Sequence, residues 1–211
     1  MAHFCLMVVG NDFKKILSSL NKYKESNLSE KEFKMEMSYI EMEKLYKNYE
    51  DKRYENIEVF AYDIYRYLYN DKEKSFGIYI NPHSKFDNIK PGGRFSYNLN
   101  IKNKEEGTYF SLKKDIDFDR MKKEAKEKAI EFKNYFIHTL NYDENKFKEN
   151  FGSDEENLLK SVSDYCYFPY FFNGKWNERG EKSLKEWAEE FENFFNNIHE
   201  NENVILLDCH R

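Results

Sequence analysis

The chain has 211 residues, a formal net charge of -5 and a 35% share of charged residues. A globule of this length hides roughly 70% of its unfolded surface, so 1–211 reads as a single domain with its own core. Charges of both signs are interleaved along the helices, which argues against a nucleic-acid polymer as partner. No apolar run approaches the ~20 residues that cross a bilayer, so a soluble, cytoplasmic protein without a membrane partner is expected.

Aromatic residues make up 18% of the chain, against eight glycines and three prolines, a balance that fits a folded domain with few long loops. Cys5, Cys166 and Cys209 are an odd number with no CxxC spacing and no signal peptide before them, and read as reduced core thiols.

His3 to Gly10 opens the chain with apolar residues on both alternating faces, as in a central buried strand. Gly10-Asn11-Asp12 breaks it and can cap a helix from about Phe13, with Ile16, Leu17 and Leu20 on its apolar side. Glu32 to Ile40 alternates and reads as a half-buried strand, helix being the alternative because Met and Glu favour it. Glu41 to Glu55 is a charged, solvated helix or excursion, and Ile57, Phe60, Ala61, Ile64, Tyr65 and Leu68 form a helical stripe. Phe76 to Ile80 is a short strand. Pro91-Gly92-Gly93 is a turn into an alternating strand from Arg94 to Ile101, with a second strand around Tyr109 to Leu112.

The longest helix is expected from about Asp117 to Leu140, its acidic start matched to the helix dipole. Shorter helices follow at Phe147 to Phe151 and from Ser153 through Val162. Tyr165 to Phe172 reads as an aromatic strand, Asn173-Gly174 as a hairpin turn, and Lys175-Trp176-Asn177 as the returning strand. A final helix carries Leu184, Trp187, Ala188, Phe191, Phe194, Phe195 and Ile198, and Val204 to Cys209 is a closing strand, apolar on both faces until Asp208. The pattern predicts an α+β fold, a mixed or antiparallel sheet with the N- and C-terminal strands central and amphipathic helices packed on it.

If the two terminal strands are antiparallel, His3 meets Asp208 and His210 at one sheet edge; a parallel pair separates them. Such a cluster can bind a ligand, hold a metal or shuttle protons, or be ordinary polar residues where strands emerge into water. Cys209 points away from both sequence neighbours in a strand, which makes a Cys/His nucleophile pair poor. Gly92 and Gly93 leave room for close approach to the backbone, Arg94 beside them offers a fork of donors suited to phosphate or carboxylate, and Phe95 offers ring surface. Trp176 and Arg179 follow the hairpin as a stacking surface and a second phosphate contact, or as a hairpin anchor and a surface ion pair. Walker, GxGxxG, HExxH, nucleophile-elbow and DxDxDG motifs are all absent, and neither metal nor cofactor is expected.

A Met-Ala-His-Phe start, Gly92-Gly93-Arg94-Phe95-Ser96, Lys114-Asp115-Ile116-Asp117-Phe118, Gly174-Lys175-Trp176 with Glu178-Arg179-Gly180, and a terminal Asp208-Cys209-His210 together resemble a family of small, mostly uncharacterised phage and prophage proteins. That family usually has tryptophan at the position of Phe95. The resemblance implies a setting, the infected bacterial host, in which small accessory proteins counter host defence. The expectation is a binding protein, more a binder than an enzyme, that sequesters a nucleotide-derived immune messenger such as a cyclic ADP-ribose variant or cyclic oligonucleotide without cleaving it. His3, Gly92, Gly93, Arg94, Phe95, Trp176, Arg179, Asp208 and His210 would hold this small nucleotide-like ligand. The alternatives are a metal-independent phosphodiesterase using His3 and His210, and a protein-binding inhibitor with Tyr62, Tyr67 and Tyr69 on its surface. The wealth of Tyr and Phe also allows a homo-oligomer.

Overall fold

Apolar residues on both sides of a strand call for cover on both sides, and in the computed structural model, which describes residues 2–49 and 53–211, the first and last strands lie inside a sheet. In chain order the elements are β1 (His3–Val9), α1 (Phe13–Leu20), β2 (Glu32–Ser38), α2 (Tyr39–Asn48), α3 (Ile57–Tyr65), β3 (Leu68–Asn70), β4 (Ser75–Ile80) and β5 (Asn88–Pro91). They continue with β6 (Phe110–Leu112), α4 (Phe118–Asn134), α5 (Glu144–Phe151), α6 (Asp154–Cys166), β7 (Tyr170–Phe172), β8 (Lys175–Asn177), α7 (Leu184–Asn197) and β9 (Asn203–His210). The chain divides into two compact units, Met1–Ser19 with Asn88–Arg211, and Leu20–Asp87.

The larger unit is built on a sheet of order β5-β9-β1-β7-β8, with β6 also paired to β9. β1 and β9 are antiparallel from His3 opposite His210 to Val9 opposite Val204, and β1 runs parallel to β7, so the sheet is mixed. This is the expected α+β architecture with the terminal strands central. Cys5, Met7, Val9, Val204 and Leu206 face the helices and share a core with Met121 and Ala125 of α4, Val162 and Cys166 of α6, and Trp187, Phe191 and Phe195 of α7. Leu6, Val8, Leu207 and Cys209, on the other face, are also buried. Each large side chain so buried contributes about 1.5–3 kcal/mol relative to an exposed one.

Local signals set the ends of the elements. Ser183 and Glu186 form a reciprocal capping box at the start of α7, as Ser153 and Glu156 do for α6. Asn173 and Gly174 join β7 to β8 with φ of 50° and 77°, the two left-handed residues of a type I′ hairpin turn. α4 passes into a π-helical turn, Tyr135–Thr139, where Leu140 N–H donates to Tyr135 O and carries the helical stretch to its expected end.

Several expectations are corrected. Arg94 to Ile101 is no strand: Gly93–Phe95 is a 3₁₀ turn, and isolated bridges join Leu99 to Thr108 and Ile101 to Ile116. The alternation there has another cause, because Phe95, Leu99 and Ile101 of this loop lie against the core while Tyr97 is 66% exposed. Tyr165 and Cys166 complete α6, so the aromatic strand shortens to Tyr170–Phe172. Helix α3 stops at Tyr65 because Arg66 takes a left-handed φ of 61°, and Leu68 starts β3. Four-residue β5, with polar Asn88 and Lys90, was not foreseen.

The smaller unit, by itself, is an antiparallel sheet of order β2-β4-β3. Met42 of α2 and Phe60 and Ala61 of α3 pack on Phe76 of β4. Strand, not helix, is the outcome for Glu32–Ser38, and Ser38 with Glu41 forms the capping box that opens α2 within the charged 41–55 stretch. Residues 50–52 of that stretch lie outside the described residues. Tyr67 and Tyr69 are half-buried against this core, and Tyr62 is 51% exposed, so the three tyrosines do not make one exposed patch.

Candidate functional site

At the end of the sheet where β1 begins and β9 finishes, one carboxylate organises the surroundings. Asp208 shares a face with Cys5, its cross-strand partner, and with His3 and His210, which oppose one another two pairs further out. Its side chain is 8% exposed, and that of His3 is 26% exposed. Oδ1 lies 2.7 Å from Nδ1 of His3. Oδ2 accepts the backbone N–H of Arg94 at 3.0 Å. Burial pushes the Asp208 carboxyl up, but the Arg94 N–H, the His3 hydrogen bond and the charges of both residues outweigh it and hold the group below the ordinary carboxylate value. A carboxylate oxygen can only accept, so Nδ1 is the ring nitrogen placed to donate in this contact, and Nε2 is the nitrogen it leaves over. The His3 and His210 rings meet edge to face with centroids 4.9 Å apart.

The double glycine belongs to this arrangement. Gly92 and Gly93 have φ of 66° and 53°, and a Cβ on Gly93 would stand 2.5 Å from Cβ of Asp208 and closer still to its Oδ2. A Cβ on Gly92 would press on Ser96 Oγ and the Tyr109 ring, both at 2.8 Å. The space the glycines leave is therefore filled by the protein's own side chains, and the Gly92 N–H is spent on Leu206 O at 2.9 Å. The turn is closed by Phe95 N–H to Gly92 O at 2.8 Å and Ser96 Oγ to Gly93 O at 2.7 Å. Arg94 is held through its backbone while its side chain is exposed.

The nine residues singled out in the sequence separate into groups. His3, Gly92, Gly93, Arg94, Asp208 and His210 come together at this end of β1 and β9. Phe95 turns inward and packs against the core. Trp176 lies on the other face of the sheet, its ring 6.2 Å from that of Phe4 and its Nε1 donating to Glu178 Oε2 at 2.9 Å. Arg179 follows β8 and acts electrostatically on Asp164 of α6. Trp176 and Arg179 thus stand apart from the Asp208 cluster. Cys209 faces away from Asp208 and burial pushes its thiol up to about 12, which leaves it no nucleophilic role at neutral pH. Among the described residues no three His, Cys, Asp or Glu side chains are grouped to hold a metal ion.

The sequence reading passed over a polar line on α6, Asn157, Ser161, Asp164 and Tyr165, that borders a cavity against α4. The signal was present, since residues three and four apart share a helix face and these alternate with the apolar stripe of the same helix.

No protein-family model, curated protein or solved structure matches this chain.

Proposed function

We propose that the protein is a binding module that captures a small phosphate-bearing ligand of nucleotide type at the Asp208 end of the sheet and releases it intact. The observation that carries this reading is that one buried carboxylate fixes both the His3 ring and the Arg94 amide, so an imidazole and the backbone from which an exposed arginine side chain projects are set at the same end of the sheet before any ligand arrives. Pre-ordering removes part of the entropy cost of binding, and a guanidinium suits phosphate oxygens. In the phage setting that the sequence resemblance implies, the ligand would be a nucleotide immune messenger, and holding it would silence the signal. Trp176 has no part in this reading, so any base stacking would fall to the imidazoles or to exposed Tyr97.

A thermal-shift series with cyclic dinucleotides, cyclic ADP-ribose isomers and inorganic phosphate tests the reading. A ligand at 100 times its Kd adds about 2.7 kcal/mol of stability, or about 5–10 °C in Tm for a chain of this size. Arg94→Ala should abolish the shift. The absence of any shift across the series, or a full shift in Arg94→Ala, contradicts the proposal.

One observation favours a second reading. An imidazole oriented through Nδ1 by a buried carboxylate is the arrangement of a general base. His3 would then activate a water for phosphodiester hydrolysis. Mass analysis of the ligand released by heat distinguishes the two, intact ligand supporting capture and a linear product supporting hydrolysis.

A further inference from the structure

We propose a second binding site, independent of the Asp208 end, in the cavity between α4 and α6, and assign it to a small aromatic anion: a flat ring carrying a carboxylate, sulfonate or phosphate. The cavity measures about 330 Å³, within the size range of sites that take small organic ligands. Its apolar wall is Ala129 and Phe132 of α4 with Phe151 at the end of α5, and its rim carries Lys128, Lys160 and Tyr165.

Three features distinguish it from an incidental gap. First, ring surface is left open. Phe132 is 43% and Tyr165 40% exposed, so each presents ring surface to the cavity they line. The Phe132 and Phe151 rings meet edge to face at 5.2 Å, which fixes the wall's orientation. Second, the two lysines stand near carboxylates without closing on them: Lys160 acts electrostatically on Asp164 of the lining, and Lys128 on Glu124. Among the described residues neither Lys128 nor Lys160 closes an ion pair, and the Lys128 ammonium sits 3.9 Å from the centroid of the Tyr165 ring. Nearby Lys133, by contrast, is paired with both Glu144 and Asp154. Third, the polar side of the cavity is built from satisfied groups. Ser161 Oγ donates to Ala125 O at 2.6 Å, tying α6 to α4, and Asn157 Nδ2 donates to Gly152 O and Ser153 O. The Ser161 bond fixes the spacing of the two helices at the cavity without any ligand.

A flat ring entering between Phe132 and Tyr165 would gain stacking, and its anionic substituent would meet Lys128 and Lys160 at the rim. A neutral ring would forgo the charge contact with the two ammonium groups, and an aliphatic anion would forgo the ring contacts. Asp164, the carboxylate of the lining, disfavours a polyanion, which limits the ligand to one or two charges.

The test is a fluorescence titration of the whole protein with 8-anilinonaphthalene-1-sulfonate, with benzoate and acetate as competitors. Saturable binding of one probe per chain is expected, displaced by benzoate and not by acetate. Lys128→Glu and Lys160→Glu should each weaken binding at least tenfold, and Arg94→Ala should leave it unchanged. Both lysines are on the surface, and a circular-dichroism melt confirms the fold of each variant; should one fail to fold, the other still decides the matter. Non-saturable binding, undiminished binding in the folded lysine variants, or equal loss in Arg94→Ala overturns the proposal, the last because it would place the probe at the Asp208 end.

Discussion

Replacing Gly93 with alanine challenges the architecture of the candidate site at one atom. The new Cβ would occupy the position of the Asp208 side chain, 2.5 Å from its Cβ, on a backbone with φ of 53°. Left-handed backbone costs a non-glycine residue about 1–2 kcal/mol. Moving the turn off Asp208 also breaks the charge-assisted bond from Arg94 N–H, and losing such a bond costs about 1.5–3 kcal/mol. The sum, about 2.5–5 kcal/mol, is a large part of the 5–15 kcal/mol that holds an ordinary domain together. Gly174→Ala serves as the internal control: its φ is 77°, but a Cβ there would meet nothing within 4 Å, so only the backbone cost applies. Urea unfolding followed by tryptophan fluorescence reads both variants, since Trp176 and Trp187 both lie in the larger unit. Gly93→Ala should lower the unfolding free energy by at least about 1.5 kcal/mol more than Gly174→Ala. Equal losses would refute the claim that the glycine exists to admit the Asp208 carboxylate.

Asp208→Asn should destabilise the larger unit by about 1.5–3 kcal/mol at neutral pH, as urea unfolding would measure. Because the folded-state pKa of Asp208 lies below its unfolded value, that stabilisation is complete above the ordinary carboxylate range and is lost as pH falls through the folded value. The gap between wild type and variant should therefore narrow on acidification, and a gap that widens would contradict the assignment. Trp187→Phe should cost about 2–4 kcal/mol, because the residue is 2% exposed and its Nε1 donates to Tyr167 O at 2.8 Å; the same unfolding experiment, read by circular dichroism, checks it. Arg94→Ala should change stability by less than about 0.5 kcal/mol, since the residue supports the fold through its backbone, and a thermal melt without ligand shows whether it does.

The central strands were legible because fully buried strands leave no polar face, and β1 and β9 carry none between Cys5 and Leu207. Capping Ser153 and the Asn173-Gly174 turn were legible because their signals are local. The turn after Gly93 was misread because period-2 alternation records which side chains are buried, and a loop laid across a core can bury alternate residues without pairing as a strand. β5 escaped for the opposite reason: its Asn88 and Lys90 are exposed, and it is a strand only because β9 offers it an edge. The same limit applies at the site. Antiparallel pairing of the termini was enough to bring His3 to Asp208, whereas separating Trp176 from Arg94 required knowing which face of β8 the indole occupies, and register is set by the parallel β1/β7 pairing that no local signal encodes.

The most direct test of the account is a ¹H–¹⁵N NMR titration of the protein with a cyclic dinucleotide or cyclic ADP-ribose isomer. Saturable shifts centred on the amides of His3, Gly93, Arg94 and His210, with those of Trp176 and Arg179 unmoved, are predicted. Shifts confined to Trp176 and Arg179, or none at millimolar ligand, would contradict it.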